Sequence, residues 1–233
     1  MAAIKKRIVT IDGPSGGGKS TVSRALAAKL FFTYLDTGAM YRAVAYQCRE
    51  QGIEPIESEQ LERLLVNLRI ELQPPAPGED DVRVLVEGRE VGRHLRTPEM
   101  GMLASRFSAL PLVRATLTRL QQQMGASGRI VAEGRDTGTV VFPDAAWKFF
   151  LDASPQIRAH RRAEQLRSKG EAVDEQQLLA QIIQRDKDDR ERPIAPLKAA
   201  ADALTIDSSG LPVEEVVRLM YEHILTTSCC EKE

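Results

Sequence analysis

The 233 residues include one asparagine, one tryptophan, three histidines and three cysteines. Each scarcity excludes something. The lone asparagine, Asn67, stands outside any Asn-Lys-x-Asp element, which argues against a guanine-reading switch. His94, His160 and His223 are too scattered to form a metal set or a catalytic triad. Cys48, Cys229 and Cys230 are odd in number, and the adjacent pair falls in a tail, so a reducing compartment is expected rather than a disulfide framework. Neither sign of charge prevails: 32 basic side chains face 33 acidic ones, for a net charge of −1. A nucleic-acid or membrane surface is therefore not expected, and any anion must be held by local arginine clusters. Lys5, Lys6 and Arg7 precede only a strand-length apolar run, too short for a signal-peptide core, and no run reaches membrane-spanning length. The expected location is the cytoplasm. At this length, one main domain with an inserted subdomain is the natural architecture.

The densest signal is Val9 to Thr21. A β-branched run, Ile8, Val9 and Ile11, breaks into Gly13-Pro14-Ser15-Gly16-Gly17-Gly18-Lys19-Ser20-Thr21, then continues as helix-compatible sequence to Leu30. This strand, loop and helix match G-x-x-x-x-G-K-[ST], in which backbone N–H groups wrap nucleotide phosphates, the lysine reaches the terminal ones and the hydroxyl meets Mg²⁺. Lys19 and Ser20 take those two positions.

Phe31 to Asp36 reads as a second strand, and Thr37 opens a helix to about Gln51. Ligands of open α/β sheets sit beyond the carboxyl ends of strands, which puts Asp36, Thr37 and Arg42 on the same rim as the loop. The bland alternative is a capped helix with Arg42 in solvent. From Ser58 the pattern changes to a short helix (Leu61 to Leu68) and an alternating hairpin, Leu68 to Leu72 and Val82 to Val86. Pro74 to Asp81 makes the turn, and Glu90-Val91 is a possible third strand. Residues 58–98 are thus read as an insertion within a core of 1–57 and 99–233. Helices follow from Thr97-Pro98 and from Pro111. Arg129 to Ala132, Lys148 to Leu151 and Ala203 to Asp207 complete a five-stranded, doubly wound parallel sheet with helices on both faces.

Arginines recur between the last two strands: Arg158, Arg161, Arg162 and Arg167, then Arg185 and Arg192 beside Asp189 on a helix from Asp174. Interleaved acids allow a salt-bridge-laced helical hairpin. Arginine in place of lysine points instead to bidentate phosphate contacts.

The motifs Gly13 to Thr21, Leu35-Asp-Thr-Gly-Ala-Met-Tyr-Arg42, Glu133-Gly-Arg-Asp-Thr-Gly-Thr-Val-Val-Phe-Pro-Asp144, Arg158-Ala-His-Arg-Arg162 and Arg185-Asp-Lys-Asp-Asp-Arg-Glu-Arg192 resemble those of the bacterial cytidylate kinases. That resemblance implies transfer of the γ-phosphoryl of ATP to CMP or dCMP, with Mg²⁺ bound alongside ATP, a nucleotide-binding insertion and a helical lid at about 158–170. It assigns Lys19 and Ser20 to the ATP phosphates and Mg²⁺. Arg42, Arg135 and Arg192 would hold the CMP phosphate, while Thr37, Arg185 and Asp189 would face the sugar. Ser105, Arg114 and Asp136 would read cytosine, and Arg158 and Arg162 would reach the transferring phosphoryl. Thr37 departs from the family's usual serine. A monomer acting on small molecules is implied, in pyrimidine nucleotide metabolism. The chemistry agrees, since phosphoryl transfer through a loose transition state needs positioning and charge rather than a covalent intermediate. A kinase of the same scaffold acting on UMP, AMP or a small hydroxylated metabolite remains open at this point, as does, more remotely, a GTP-binding switch.

Overall fold

β-branched and aromatic residues build the strands around β1 (Lys6–Asp12), the middle of a five-stranded sheet in the computed structural model, which describes residues 6–229 except Pro77, Asp80, Lys169 and Glu171. The other members are β2 (Thr33–Asp36), β6 (Ile130–Gly134), β7 (Ala145–Asp152) and β8 (Leu204–Asp207), in the order β2-β6-β1-β7-β8. β1 runs parallel to both β6 and β7, and β7 is parallel to β8. This is the expected five-stranded parallel sheet. One of its faces buries Val9, Ile11, Val131, Trp147, Phe149 and Leu151 against Val22 and Leu26 of α1 (Lys19–Leu30) and Val216, Met220 and Ile224 of α8 (Val213–Cys229). Alternation turns Thr10 and Asp12 to the other face, where a π-helical turn, Thr137–Val141, lies over β1.

The chain divides into two compact units, 1–34 with 127–233, and 35–126. The first also holds α6 (Pro155–Arg167) and α7 (Glu175–Glu191). Ser154 and Asp174 cap these helices, Ser154 Oγ accepting from Ile157 N at 3.3 Å and Asp174 from Gln176 N at 2.9 Å. The second unit holds α2 (Thr37–Glu50), α3 (Glu59–Asn67), β3 (Ile70–Gln73), β4 (Arg83–Val86), β5 (Arg89–Glu90), α4 (Pro98–Ser108) and α5 (Pro111–Met124). Its three strands form an antiparallel meander, with Ile70 facing Val86 and Leu72 facing Val84. This unit is wider than the 58–98 insertion read from the sequence. The reason is that α2 packs on α4 and α5 while α3 packs on α5, so helices that read as core close over the meander's own side of the chain.

Three local departures have physical causes. Phe31 takes a left-handed φ of 56° as the residue closing α1, and its N–H returns to Ala28 O at 3.2 Å, so the strand starts at Thr33 and the phenyl is exposed. The π-helical turn carries no hydrophobic period for a sequence reading to detect. β7 begins at Ala145 instead of Lys148 because Lys148 lies buried within it, donating to Pro143 O at 2.5 Å and to Asp202 Oδ1 at 2.9 Å. Cys48 is a free, buried thiol whose pKa burial pushes up to about 12, which leaves it inert. Lys5 and Cys230, noted in the sequence, lie outside the described residues.

Gly13 joins β1 to the loop with φ 149°, and a Cβ there would stand 2.0 Å from the carbonyl oxygen of Leu151. The loop is therefore laid against the β7 backbone, a constraint apart from any ligand. Gly13→Ala should destabilise the first unit by about 3 kcal/mol or more, since backbone must move on both sides. Urea unfolding followed by circular dichroism measures this, and a change within error would contradict the packing argument.

Candidate functional site

Gly18 caps α1 with backbone alone, at φ 82°, and leaves the first amides of the helix directed into the glycine loop. Behind them Lys19 is buried, its Nζ donating to Pro14 O at 2.6 Å. Burial lowers the Lys19 pKa to about 7, with the neighbouring charges of Arg135 and Arg185 adding to the fall and those of Glu133 and Asp12 opposing it. A desolvated ammonium among arginines is a site that favours arriving negative charge. Ser20 and Thr21, next on the helix, are exposed.

The loop is anchored where it leaves β1. Asp12 is fully enclosed and accepts from Thr137 N (2.8 Å), Thr137 Oγ1 (2.7 Å) and Gly138 N (2.7 Å). Burial pushes its carboxyl above the ordinary range, and the three hydrogen bonds pull it back. Glu133, at the end of β6, accepts from the Tyr34 hydroxyl. Beyond it Arg135 donates from Nε to Asp189 Oδ2 at 2.9 Å, and Arg192 lies 3.5 Å from Asp136 while donating from Nε to Ala195 O at 2.6 Å. Burial alone would raise the Asp189 carboxyl, but Arg135, Arg185 and Arg192 together hold it below the usual range. The first unit thus brings together Lys19, Arg135, Asp136, Arg185, Asp189 and Arg192, which lie up to 173 positions apart in a 233-residue chain.

Arg158 departs from its sequence expectation. Its guanidinium is 1% exposed and engaged by Asp186 through two bonds (3.1 and 2.5 Å), by Ala153 O (2.8 Å) and by Ser15 O (3.1 Å). It braces the loop instead of reaching outward, because a carboxylate opposite it completes a buried pair. Arg162, one turn on, is partly exposed and donates to Gln165 Oε1 at 2.6 Å. Of the lid region at 158–170, Lys169 lies outside the described residues.

The second unit holds the remaining candidates. Asp36 caps α2 through Ala39 N (2.8 Å) and accepts from Arg42 Nη2 at 3.1 Å, so the capping alternative is realised, with Arg42 paired to the cap residue. Thr37 is buried at the first turn. Ser105 is half-buried on α4, while Arg114 on α5 is buried, donates to Ser108 O at 3.2 Å and lies 5.7 Å over the Tyr41 ring.

Asp12, Tyr34, Glu133 and Asp186 escape the sequence reading. Asp12 and Glu133 do stand at the mouths of glycine-rich turns, which is a usable signal. Tyr34 and Asp186 have none, because their partners are distant in the chain.

Strand, glycine cradle, buried lysine and facing arginines define a P-loop phosphate-binding protein of the small-kinase class. Residues 9–226 match the family model described as cytidylate kinase, and the chain belongs to that family. The cytidylate kinase of Fervidobacterium nodosum is 49% identical over 92% of this chain and 94% of its own, and that of Vibrio vulnificus is 46% identical over 93% and 95%. An uncharacterised protein from Eubacterium ventriosum shares the fold alone, with a TM-score of 0.51 at 13% identity over 95% of this chain and 99% of that one. Among the described residues no helix is long and apolar enough to cross a membrane.

The Lys19 shift has a sign that can be checked. Unfolded, the lysine keeps its proton up to about 10.5, whereas folded it loses it near 7. Between these values the unfolded chain binds more protons, so this residue makes stability rise with pH, by a few kcal/mol at most. Urea unfolding at pH 6.5 and pH 9 should show that rise in the native protein and a smaller one in Lys19→Met. Equal slopes would remove the buried-ammonium account.

Proposed function

We infer that the chain transfers the γ-phosphoryl group of ATP to CMP or dCMP, giving ADP and CDP or dCDP. The observation that carries this reading is the family match over residues 9–226, seated on a glycine loop whose lysine is buried among arginines.

The loop Gly13 to Thr21 wraps the ATP phosphates with its backbone N–H groups, which Pro14 lacks, and Lys19 meets the terminal ones. Arg42, Arg135 and Arg192 hold the acceptor phosphate, Thr37, Arg185 and Asp189 face the sugar, and Ser105, Arg114 and Asp136 read the base. Arg162 is the arginine for the transferring group, given the commitments of Arg158. The transition state is loose and in line, so these cations act by placing two anions that repel each other and by stabilising charge on the equatorial oxygens. When bound, Mg²⁺ supplies charge neutralisation on the ATP phosphates. The exposed Ser20 hydroxyl fits it, because a hard cation takes oxygen ligands and is held largely by phosphate oxygens and water.

Cytosine presents an amino donor at N4 and acceptors at N3 and O2, whereas uracil reverses the donor and acceptor at positions 4 and 3. A carboxylate for N4 and a guanidinium for N3 and O2 suit cytosine, and each mispaired buried group costs roughly 1–3 kcal/mol. The cysteine usage and balanced charge support a cytoplasmic enzyme, and we take the monomer as the working state.

Turnover across CMP, dCMP, UMP, AMP and shikimate tests the assignment. A cytidine monophosphate should be preferred at least tenfold, and a clear preference for any other acceptor sinks it. Asp136→Asn should lower kcat/KM for CMP about ten- to a hundredfold, and for UMP by less, in steady-state assays with both acceptors. Equal losses would take Asp136 out of base reading.

A further inference from the structure

Two carbonyls of the glycine loop carry charged side-chain donors. Pro14 O accepts from Lys19 Nζ (2.6 Å) and Ser15 O from Arg158 Nη1 (3.1 Å). A trans peptide is planar, with its C=O and the following N–H pointing opposite ways. Fixing Ser15 O on Arg158 therefore turns the Gly16 N–H away from α6. If that peptide flipped, a carbonyl dipole would replace an amide in the cradle and repel the anion it is meant to hold.

Gly16 has φ 79°, and a Cβ there would lie 3.3 Å from Arg158 Cβ, so the loop is seated directly on this residue. Arg158 cannot hold the position alone, since a guanidinium next to a phosphate site has every reason to swing onto the phosphates. Asp186 on α7 is what restrains it, through the two bonds at 3.1 and 2.5 Å, with side chains 1% and 5% exposed. The preceding residue, Arg185, donates from Nη1 to Ser15 Oγ at 3.3 Å, so one turn of α7 grips the same loop residue a second time.

We propose that Asp186 is a positioning residue for the phosphate donor: by locking Arg158 onto Ser15 O it keeps the Gly16 amide turned into the cradle. The proposal rests on the reading of this loop as the ATP site, but not on the identity of the acceptor.

The test is calorimetric titration of ATP with Mg²⁺, and separately of CMP, into the native protein and Asp186→Asn, with thermal melts to confirm folding. Asparagine keeps the shape and one acceptor but removes the charge and sets an NH₂ donor against the guanidinium, which loosens its two-bond grip on the arginine. ATP should bind about tenfold more weakly, CMP within twofold of native, and Asp186→Glu should recover ATP binding to within threefold. If Asp186→Asn does not fold, Arg158→Lys replaces it, because an ammonium has no counterpart of the Nε bond to Ala153 O and the Nη2 bond to Asp186 Oδ2 that fix the plane of the guanidinium, and the same loss confined to ATP is expected. Unchanged ATP affinity, equal weakening of both nucleotides, or failure of both variants to fold would overturn the proposal in favour of a merely stabilising pair. Tighter ATP binding would overturn it too, showing Arg158 released onto the phosphates. Failure of the functional reading looks different: native protein would turn over another acceptor in preference to CMP, with the ATP comparison still measurable.

Discussion

One buried carboxylate sets the geometry of the first unit. Asp12 is the last residue of β1 and accepts three hydrogen bonds from Thr137 and Gly138, which lie beyond the end of β6. A buried carboxyl is tolerated only when it is well bonded, and leaving a buried donor or acceptor without its partner costs about 1–3 kcal/mol. The bonds leave the turn one place to sit. Gly138 is needed there, since a Cβ would approach Thr10 Oγ1 to 2.7 Å. The residue after Asp12 enters the phosphate loop, and the two residues before Thr137 are Arg135 and Asp136. A single side chain thereby fixes the donor loop and the arginine-bearing turn in one frame, without either having to be rigid alone.

The same economy governs the arginines. Arg135 pairs with Asp189, Arg158 with Asp186, and Arg192 lies against Asp136. The sequence offered two readings of these interleaved charges, a salt-bridge lattice or a phosphate clamp, and the structure shows the ion pairs of the first. A cluster of guanidinium groups in a protein of net charge −1 would repel itself unless carboxylates were threaded through it. Those carboxylates hold the arginines in place, and on the proposed reading a phosphate would add to, or substitute for, an existing partner. Arg158 is the member whose burial makes substitution most costly, and the brace role follows from that.

What could be read from residue order follows from the range of the interactions. The phosphate loop and the capped helices rest on contacts within a few residues, such as Thr97 Oγ1 accepting from Met100 N at 3.1 Å, and the strands, though their ladders join distant segments, carry β-branched runs, so all leave periodic or motif-level traces. The π-helical turn, Tyr34 on Glu133 and Asp186 on Arg158 depend on pairs 28 or more positions apart, and no local pattern encodes them. The division at 34 and 126, in place of an insertion at 58–98, has the same origin. Whether α2, α4 and α5 bury themselves with the meander is decided by packing between helices, which hydrophobic spacing alone does not specify.

Lys19 shows how little must move for the site to work. In this structure the ammonium folds back on Pro14 O, which satisfies it partly in a setting that burial has made hostile to charge. An arriving phosphate offers the same atom a charged acceptor a short swing away, and the gain is large because the carbonyl is a poorer partner for a desolvated cation than an anion is. On the proposed reading the lysine would exchange one hydrogen bond for a stronger one while Arg158 keeps its bond to Ser15 O. The loop backbone can therefore stay where Gly13 and Asp12 hold it. On that reading most of the reorganisation that water would require around a polyphosphate would already have been made in folding, and the burial that lowers the Lys19 pKa would strengthen its attraction for an anion.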